Sequence, residues 1–572
     1  MTKRQRGLDS YDHGSRLPTF THQPLTNLET YVDTNLAPCR SDIKPPRGKL
    51  PSLDIIFTSQ VKMLKSLAAS LALASVSFAA EIVFDWSIGW VSAAPDGVSR
   101  QLDAPGSYWY HSHNGGQYPD GLRGPLIVHD PEDPYAGQYD EEVLLTTSDW
   151  YHSQVPDLIT QLLSTSNTKF LPPIPDAILL NDTNQGKFHF TPGKTYKIRF
   201  IGMAAFASTF FNLQGHTMTV IEVDGTYVEK QETDFIRVAP AQRYTVLVTA
   251  LPTAEKNYAF IAALDVNRDF AHDPTPVFPL NITGYIIYDE SQAYPLPYTV
   301  DQFLPVEDLS LASLETPALL PPPTRPIQLD FTFGFDAQGI PRTFFNNITY
   351  VEQKVPSLFT AFSTGTDNDN PTIYGTVNPF VAHRGDIVQI VINNGDAGIH
   401  PFHLHGHQFQ IVAKGESNSG PFNGDGSNFP ANPVRRDTVA VNANSYAVLR
   451  FSADNPGVWL FHCHIEWHVI MGLMATIIEI PEELRGLAIP ADHQAVCDVQ
   501  SIPTAGNAAG NTNNFLDMTG ANITPKVPDQ GATFQSGCAT TKTCEKRATR
   551  RSQRNRISQR VPVGHNEYAE TF

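Results

Sequence analysis

Short runs of alternating apolar and polar residues recur along most of this chain. Runs rich in Val, Ile, Thr, Phe and Tyr lie at 197–200, 218–223, 244–248, 258–261 and 284–288, bounded by Gly, Pro, Asn and Asp. Period-two runs of this length between turn residues predict half-buried strands. The chain therefore reads as all-β, built of tandem Greek-key β-sandwiches. One complete sandwich is expected at 141–304. A Pro-rich linker at 305–326 leads into a second, within a unit spanning 305–490. Repetition between them is of fold type, without a sequence period. Residues 81–90 alternate like the opening strand of an earlier domain that ends near 140.

The ends break the pattern. Residues 1–62 are polar and Pro-rich and read as a disordered extension. Residues 63–80 open on Met63-Leu64-Lys65 and continue through small apolar residues to Ala80. That is the layout of a secretory signal peptide, and it is too short for a comfortable membrane span. Met63 is then expected to be the natural start. Residues 491–572, Gly/Asn/Thr-rich and then basic from Lys546 to Arg560, read as a disordered tail.

A chain of 572 residues is too long for one core, so several domains are expected. The net charge of −18 argues against nucleic acid as a partner and suits cationic substrates. Five Cys in this length make no disulfide scaffold. No apolar stretch is long enough for a membrane span. Sequons at Asn181, Asn281, Asn347 and Asn522 suit a secreted glycoprotein.

Three clusters carry the chemistry. Phe461-His462-Cys463-His464-Ile465-Glu466-Trp467-His468 sets one thiolate between two imidazoles, with a third five residues on. His400-Pro401-Phe402-His403-Leu404-His405-Gly406-His407 and Tyr110-His111-Ser112-His113 add further His-x-His pairs. Cys with two His is the ligand set of an electron-transfer copper site. If 461–464 is extended, His462 and His464 face one side and Cys463 the other. One strand then joins two metal sites by a short covalent path. His129, His152, His216 and His272 lack a paired neighbour and read as surface or core histidines.

These motifs resemble those of the fungal multicopper oxidases, which include laccases and the cell-surface ferroxidases of iron uptake. The flanks agree: Asp454-Asn455-Pro456-Gly457-Val458-Trp459, Arg435-Arg436-Asp437-Thr438 and Gly121-Leu122-Arg123-Gly124-Pro125-Leu126. Phe344-Phe345-Asn346-Asn347-Ile348-Thr349-Tyr350 and the stretch from Gly202 to Ser208 look closer to the ferroxidase branch. The resemblance implies cupredoxin-like sandwiches and copper as cofactor. His400, Cys463 and His468 would hold the electron-entry copper, with Leu473 in the axial slot. His113, His405 and His462 would hold one copper of a coupled pair, His111 and His464 the other, and His403 a further copper. The family uses eight histidines in this cluster, and the chain supplies six. Another His-x-His and a Cys are expected between Gln101 and His111 and do not occur there. The domain at 81–140 is therefore expected to be truncated. Cys497 would lose its disulfide partner and stay unpaired, or pair with Cys538 or Cys544. His407 is expected beside the ligands rather than among them.

The implied activity is one-electron oxidation of Fe(II), or of phenols and aromatic amines, with reduction of dioxygen to water. The catalytic set would be His462, Cys463, His464 and His468. Asp120, a turn residue or a proton-delivering carboxylate, joins it. Asp265, Asp269, Asp273 and Asp425 are the candidate Fe(II)-holding acids. His189 stands where the ferroxidases carry another acid, and Phe206 where many laccases do. A secreted or cell-surface location and, on the ferroxidase reading, an iron permease partner are expected. The alternative is a copper-binding or electron-transfer pseudo-oxidase with an incomplete cluster.

Overall fold

The computed structural model describes residues 92–93, 100–101, 105–184, 186–265, 281–300, 302–314 and 318–527. The extension 1–62, the segment 63–80 and the basic run after Lys546 lie outside the described residues.

Strands form where alternation placed them. Thr195–Gly202, Met218–Val223, Arg243–Thr249, Tyr258–Leu264 and Asn281–Ile287 contain or overlap the five apolar runs. They belong to a sandwich of a six-stranded and a five-stranded sheet. The first has the order Thr226–Thr233, Met218–Val223, Arg243–Thr249, Thr195–Gly202, Glu141–Trp150, Ala177–Leu180. The second has the order Ile236–Val238, Thr209–Leu213, Tyr258–Leu264, Asn281–Ile287, Lys187–His189.

A second sandwich repeats this arrangement strand for strand. Its six-stranded sheet runs Arg435–Arg436, Phe409–Lys414, Ser445–Ser452, Ile387–Asn394, Arg325–Phe335, Pro341–Phe345. Its five-stranded sheet runs Thr438–Val441, His400–Leu404, Gly457–Cys463, Met474–Glu479, Pro379–Ala382. Each sheet of both sandwiches contains one parallel pair, as between Glu141–Trp150 and Thr195–Gly202, and between Arg325–Phe335 and Ile387–Asn394. The duplication is thus complete in topology although no sequence period shows it. In the earlier sandwich the strands equivalent to His400–Leu404 and Gly457–Cys463 are Thr209–Leu213 and Tyr258–Leu264. They carry no His or Cys.

Of the earlier domain, the described residues hold two short ladders. Ser92–Ala93 pairs with Arg100–Gln101, and Gly106–His111 pairs with Arg123–Val128. Two strands alone are marginal in water, and this hairpin leans on the sandwich that follows. One apolar core, including Phe200, Phe260, Phe402, Phe461 and Trp467, continues through both sandwiches. Arg436, fully buried, crosses between them to both carboxylate oxygens of Asp224 at 2.8 and 3.0 Å. Among the described residues no helix is long and apolar enough to cross a membrane.

The reading of 491–572 as disordered is corrected over 491–527. A helix spans Ala491–Gln500, and the segment after it packs on the second sandwich. Asn507, wholly buried, donates to Phe515 and Asp517 carbonyls at 2.9 and 2.7 Å. Gln353 and Thr376 donate to the Asn522 carbonyl at 2.9 and 3.0 Å. Asn side chains here satisfy the backbone groups that a sheet would otherwise satisfy. A polar composition therefore looked unstructured. Cys497 is buried in this layer against Val355 and Phe359 and has no disulfide partner among the described residues. Cys538 and Cys544 lie outside the described residues.

Candidate metal centre

Strand register brings the two C-terminal motifs together. His400–Leu404 and Gly457–Cys463 pair antiparallel with Phe402 opposite Cys463 and His403 opposite His462. The strand ends at Cys463, and after a turn the helix Glu466–Met471 begins. Gly472 stops that helix at φ +105°, where a Cβ would meet Thr349 Oγ1 at 2.3 Å. Only glycine closes so tight a turn cheaply. The chain then returns beside the ligand, with Cys463 N–H donating to the Leu473 carbonyl at 3.2 Å.

The first site is His400, Cys463 and His468, all buried. Cys463 Sγ lies 3.8 Å from His400 Nδ1 and 3.5 Å from His468 Nδ1, and the two nitrogens are 3.1 Å apart. Phe331 and Phe333 pack on the rings, and the side chain of Leu473 is buried. Burial pushes the Cys463 thiol up, so a metal entering the site must displace its proton. The outer nitrogen of His400, Nε2, faces Asp396 Oδ2 at 3.0 Å.

The second site is a group of six imidazoles. His113, His405 and His462 meet through Nε2, at 3.2 Å for His113–His405 and 3.3 Å for His405–His462. His111 stacks on His113 with centroids 4.4 Å apart and lies 5.0 Å from His464. His403 lies 4.9 Å from His405 and 5.8 Å from His464. Cys463 points the other way, as alternation requires. Burial, and then the neighbouring imidazoles, lower His111 to about 3 and His113 to about 4, and hold His405, His462 and His464 well below the ordinary imidazole value. All five are therefore neutral at physiological pH, the state in which imidazole binds metal.

These residues fit copper. Both ring nitrogens of buried His464 lack a hydrogen-bond partner among the described residues, a cost that a metal ion would remove. His111, His403 and His462 face backbone carbonyls with Nδ1 at 3.1, 2.9 and 2.8 Å. Such bonds set the tautomer and leave Nε2 free for a ligand bond. A buried Cys with two Nδ1 donors suits a blue copper, and an all-imidazole group suits the others.

Other expected residues fall elsewhere. Asp265 is corrected as a substrate acid: it is buried, and Arg237 Nε holds its carboxylate at 2.8 Å. Asp425 is exposed and accepts the Ser427 N–H at 2.9 Å within its own turn. Asp269, Asp273 and His272 lie outside the described residues. Asp120 accepts the Val155 N–H at 3.2 Å with both oxygens, at the start of the helix Val155–Leu162. His189 is exposed and bonds Glu290 at 2.7 Å. His407 turns to Glu479 at 2.5 Å. His129 and His152 are exposed, and buried His216 bonds Tyr288 Oη at 2.6 Å.

Sequence reasoning passed over two acids. Asp396 precedes His400 by four residues, and its loop position gave no signal. Glu466 lies inside the Cys463 motif, is buried, and takes a hydrogen bond from Gly116 N–H, three residues past His113. Burial raises its carboxyl to about 8. Phe206 is buried on the loop that touches the same helix, where Glu466 N–H donates to the Ala205 carbonyl at 2.8 Å.

Profiles described as multicopper oxidase match residues 99–133, 141–289 and 350–483. The iron transport multicopper oxidase fetC of Epichloe festucae is 46% identical over 450 residues, covering 77% of this chain and 72% of its own. The iron transport multicopper oxidase FET3 of Saccharomyces cerevisiae is 39% identical over 455 residues, covering 77% and 70%. The crystal structure of Fet3p, a multicopper oxidase that functions in iron import, superposes with TM-score 0.70 at 38% identity, over 74% of this chain and 81% of that one. A laccase from Botrytis aclada gives 0.59 at 28% identity, over 70% and 74%.

Proposed function

Because the chain belongs to the multicopper oxidase family, we propose that its electron donor is Fe(II), oxidised one electron at a time at the Cys463 site. His400, Cys463 and His468 would hold the electron-entry copper. His113, His405 and His462, then His111 and His464, then His403, would hold the cluster. When bound, copper supplies one-electron redox chemistry at the first site and dioxygen reduction at the second. The overall balance is four Fe(II), one dioxygen and four protons giving four Fe(III) and two waters.

The observation that carries the Fe(II) reading is Asp396 on the outer nitrogen of His400. A carboxylate oxygen attracts a hard divalent cation; Asp396 is buried like Asp265, but it lies against the ligand imidazole itself and so stands one ring from the Cys463 site. Cys463 is covalently continuous with His462 and His464, so electrons have a short bonded path to the cluster. Glu466 keeps its carboxyl proton at neutral pH, close to the hairpin that bears His113, and is placed to supply one. Phenols and aromatic amines are the second reading. Buried Phe206 by the copper helix counts against them, since an acid there would orient a phenol. The names of the relatives, the sequons and the segment at 63–80 support a cell-surface or secreted glycoprotein with an iron permease as partner.

The missing His-x-His separates the two halves of the reaction. The Cys463 site draws every ligand from residues 400–468 and is complete. The cluster lacks ligands, and a site short of ligands binds metal weakly. The copper-loaded chain should take electrons from Fe(II), hold fewer than four coppers and consume little oxygen. Inserting a segment with His-x-His between Gln101 and Leu102 should restore four coppers and four Fe(II) per dioxygen, by elemental analysis beside an oxygen electrode. Full turnover without the insertion would mean that other residues, such as His407, replace the lost ligands. No reaction with Fe(II) in either form would sink the ferroxidase reading.

A further inference from the structure

We infer that Arg243, in the sandwich that supplies no copper ligand, is the positioning residue that clamps the histidine hairpin to the C-terminal ligand strands. Its guanidinium touches three parts of the fold at once. Nε donates to the Ser107 carbonyl at 2.7 Å, on the hairpin strand that ends at His111. Nη1 and Nη2 donate to Asp437 Oδ1 and Oδ2 at 2.7 and 2.6 Å, in the C-terminal sandwich. Nη1 also donates to the Ala241 carbonyl at 2.8 Å in its own sandwich, and the group packs 5.3 Å from the Tyr108 ring centroid.

Both far ends lead to ligands. Asp437 faces His403 Nδ1 through its carbonyl at 2.9 Å and its carboxylate at 3.5 Å, and its carbonyl accepts Leu404 N–H at 3.0 Å. Ser107 is fully buried, four residues before His111 and six before His113. Two strands cannot hold their own place, so anchoring through Ser107 sets where those two rings stand. Glu222 and Arg199 also bind Ser107, at 2.8 and 2.9 Å, but neither reaches the C-terminal sandwich. A planar fork with its donors in fixed directions serves Ser107 and both Asp437 oxygens together, and a lysine ammonium cannot.

The test is hydrogen exchange on the metal-free full chain, followed by copper loading. Arg243→Lys keeps a positive charge beside Asp437 and Asp224, so no carboxylate is stranded. Amides of Gly106–His111 and Arg123–Val128 should exchange about tenfold faster or more, while those of Ile387–Asn394 and Ser445–Ser452 hold their wild-type rates. After loading, the blue band should persist while copper per chain falls below wild type. Ser107→Ala removes only the side-chain links and should loosen the hairpin less than Arg243→Lys does. Unchanged hairpin exchange in Arg243→Lys overturns the inference. So does a uniform rise in all sheets with loss of the blue band, which would mark a general structural role. The copper arm rests on the cluster reading. A wild-type chain that loads only the blue copper agrees with a cluster short of ligands, gives the copper arm nothing to compare, and leaves the exchange comparison alone to decide the clamp.

Discussion

Replacing Asp396 by Asn tests where the electron enters. Asp396 Oδ2 serves both His400 Nε2 at 3.0 Å and the Gly398 N–H at 2.8 Å. The Asp396 N–H is held by Asn394 Oδ1 at 2.9 Å. An amide oxygen in that place can keep both of these contacts while the change removes one charge. A unit charge about 4 Å from a divalent cation is worth about 2 kcal/mol even at the dielectric of water. That is a factor of about 30 in affinity. The assay is anaerobic stopped-flow bleaching of the blue band by Fe(II), which needs only the Cys463 site and is blind to the cluster. Half-saturation should move up by about that factor, while bleaching by an aromatic amine should change by less than about twofold. Equal effects on both donors, or no effect on Fe(II), would refute the assignment of Asp396 as the cation-holding acid.

Cys463→Ser should abolish the intense band at about 600 nm that a Cys-bound copper gives, and His113→Ala should leave it; a band surviving the first change would overturn the ligand set. Asp149 gives a pH signature. Burial raises its carboxyl to about 7, so the folded chain keeps a proton that the unfolded chain releases near pH 4. Stability of the metal-free protein from this group is full below about pH 4 and falls as pH rises to about 7, by up to about 1.4 kcal/mol per unit. Urea unfolding across that range should show the slope. Asp149→Asn, whose amide oxygen can still accept the Phe206 N–H that Asp149 now takes at 2.6 Å, should flatten it; an unaltered slope would place the titration elsewhere.

Much of this protein follows from local sequence, because period and ligand type are local properties. Alternation marked the strands, and His-Cys-His marked two metal sites sharing one backbone, since consecutive residues of a strand must face opposite ways. The lost His-x-His was also legible, as an absence within a known spacing. What tertiary structure decided are pairings between distant residues and the burial that follows from them. Asp265 reads as a free loop acid until Arg237, two strands away in the same sheet, takes its charge. Asp396 and Glu466 look like ordinary acids until folding sets one against His400 and seals the other at the end of the Cys463 strand. Residues 501–527 lack any hydrophobic period, and their order comes from side-chain amides bonding to backbone, Asn507 within the segment and Asn522 and Gln353 between it and the sandwich. Arg243 and Asp437 stand 194 residues apart. No local pattern announces such a pair, because the free energy that selects it exists only once three pieces of chain have met and excluded water from the charge between them.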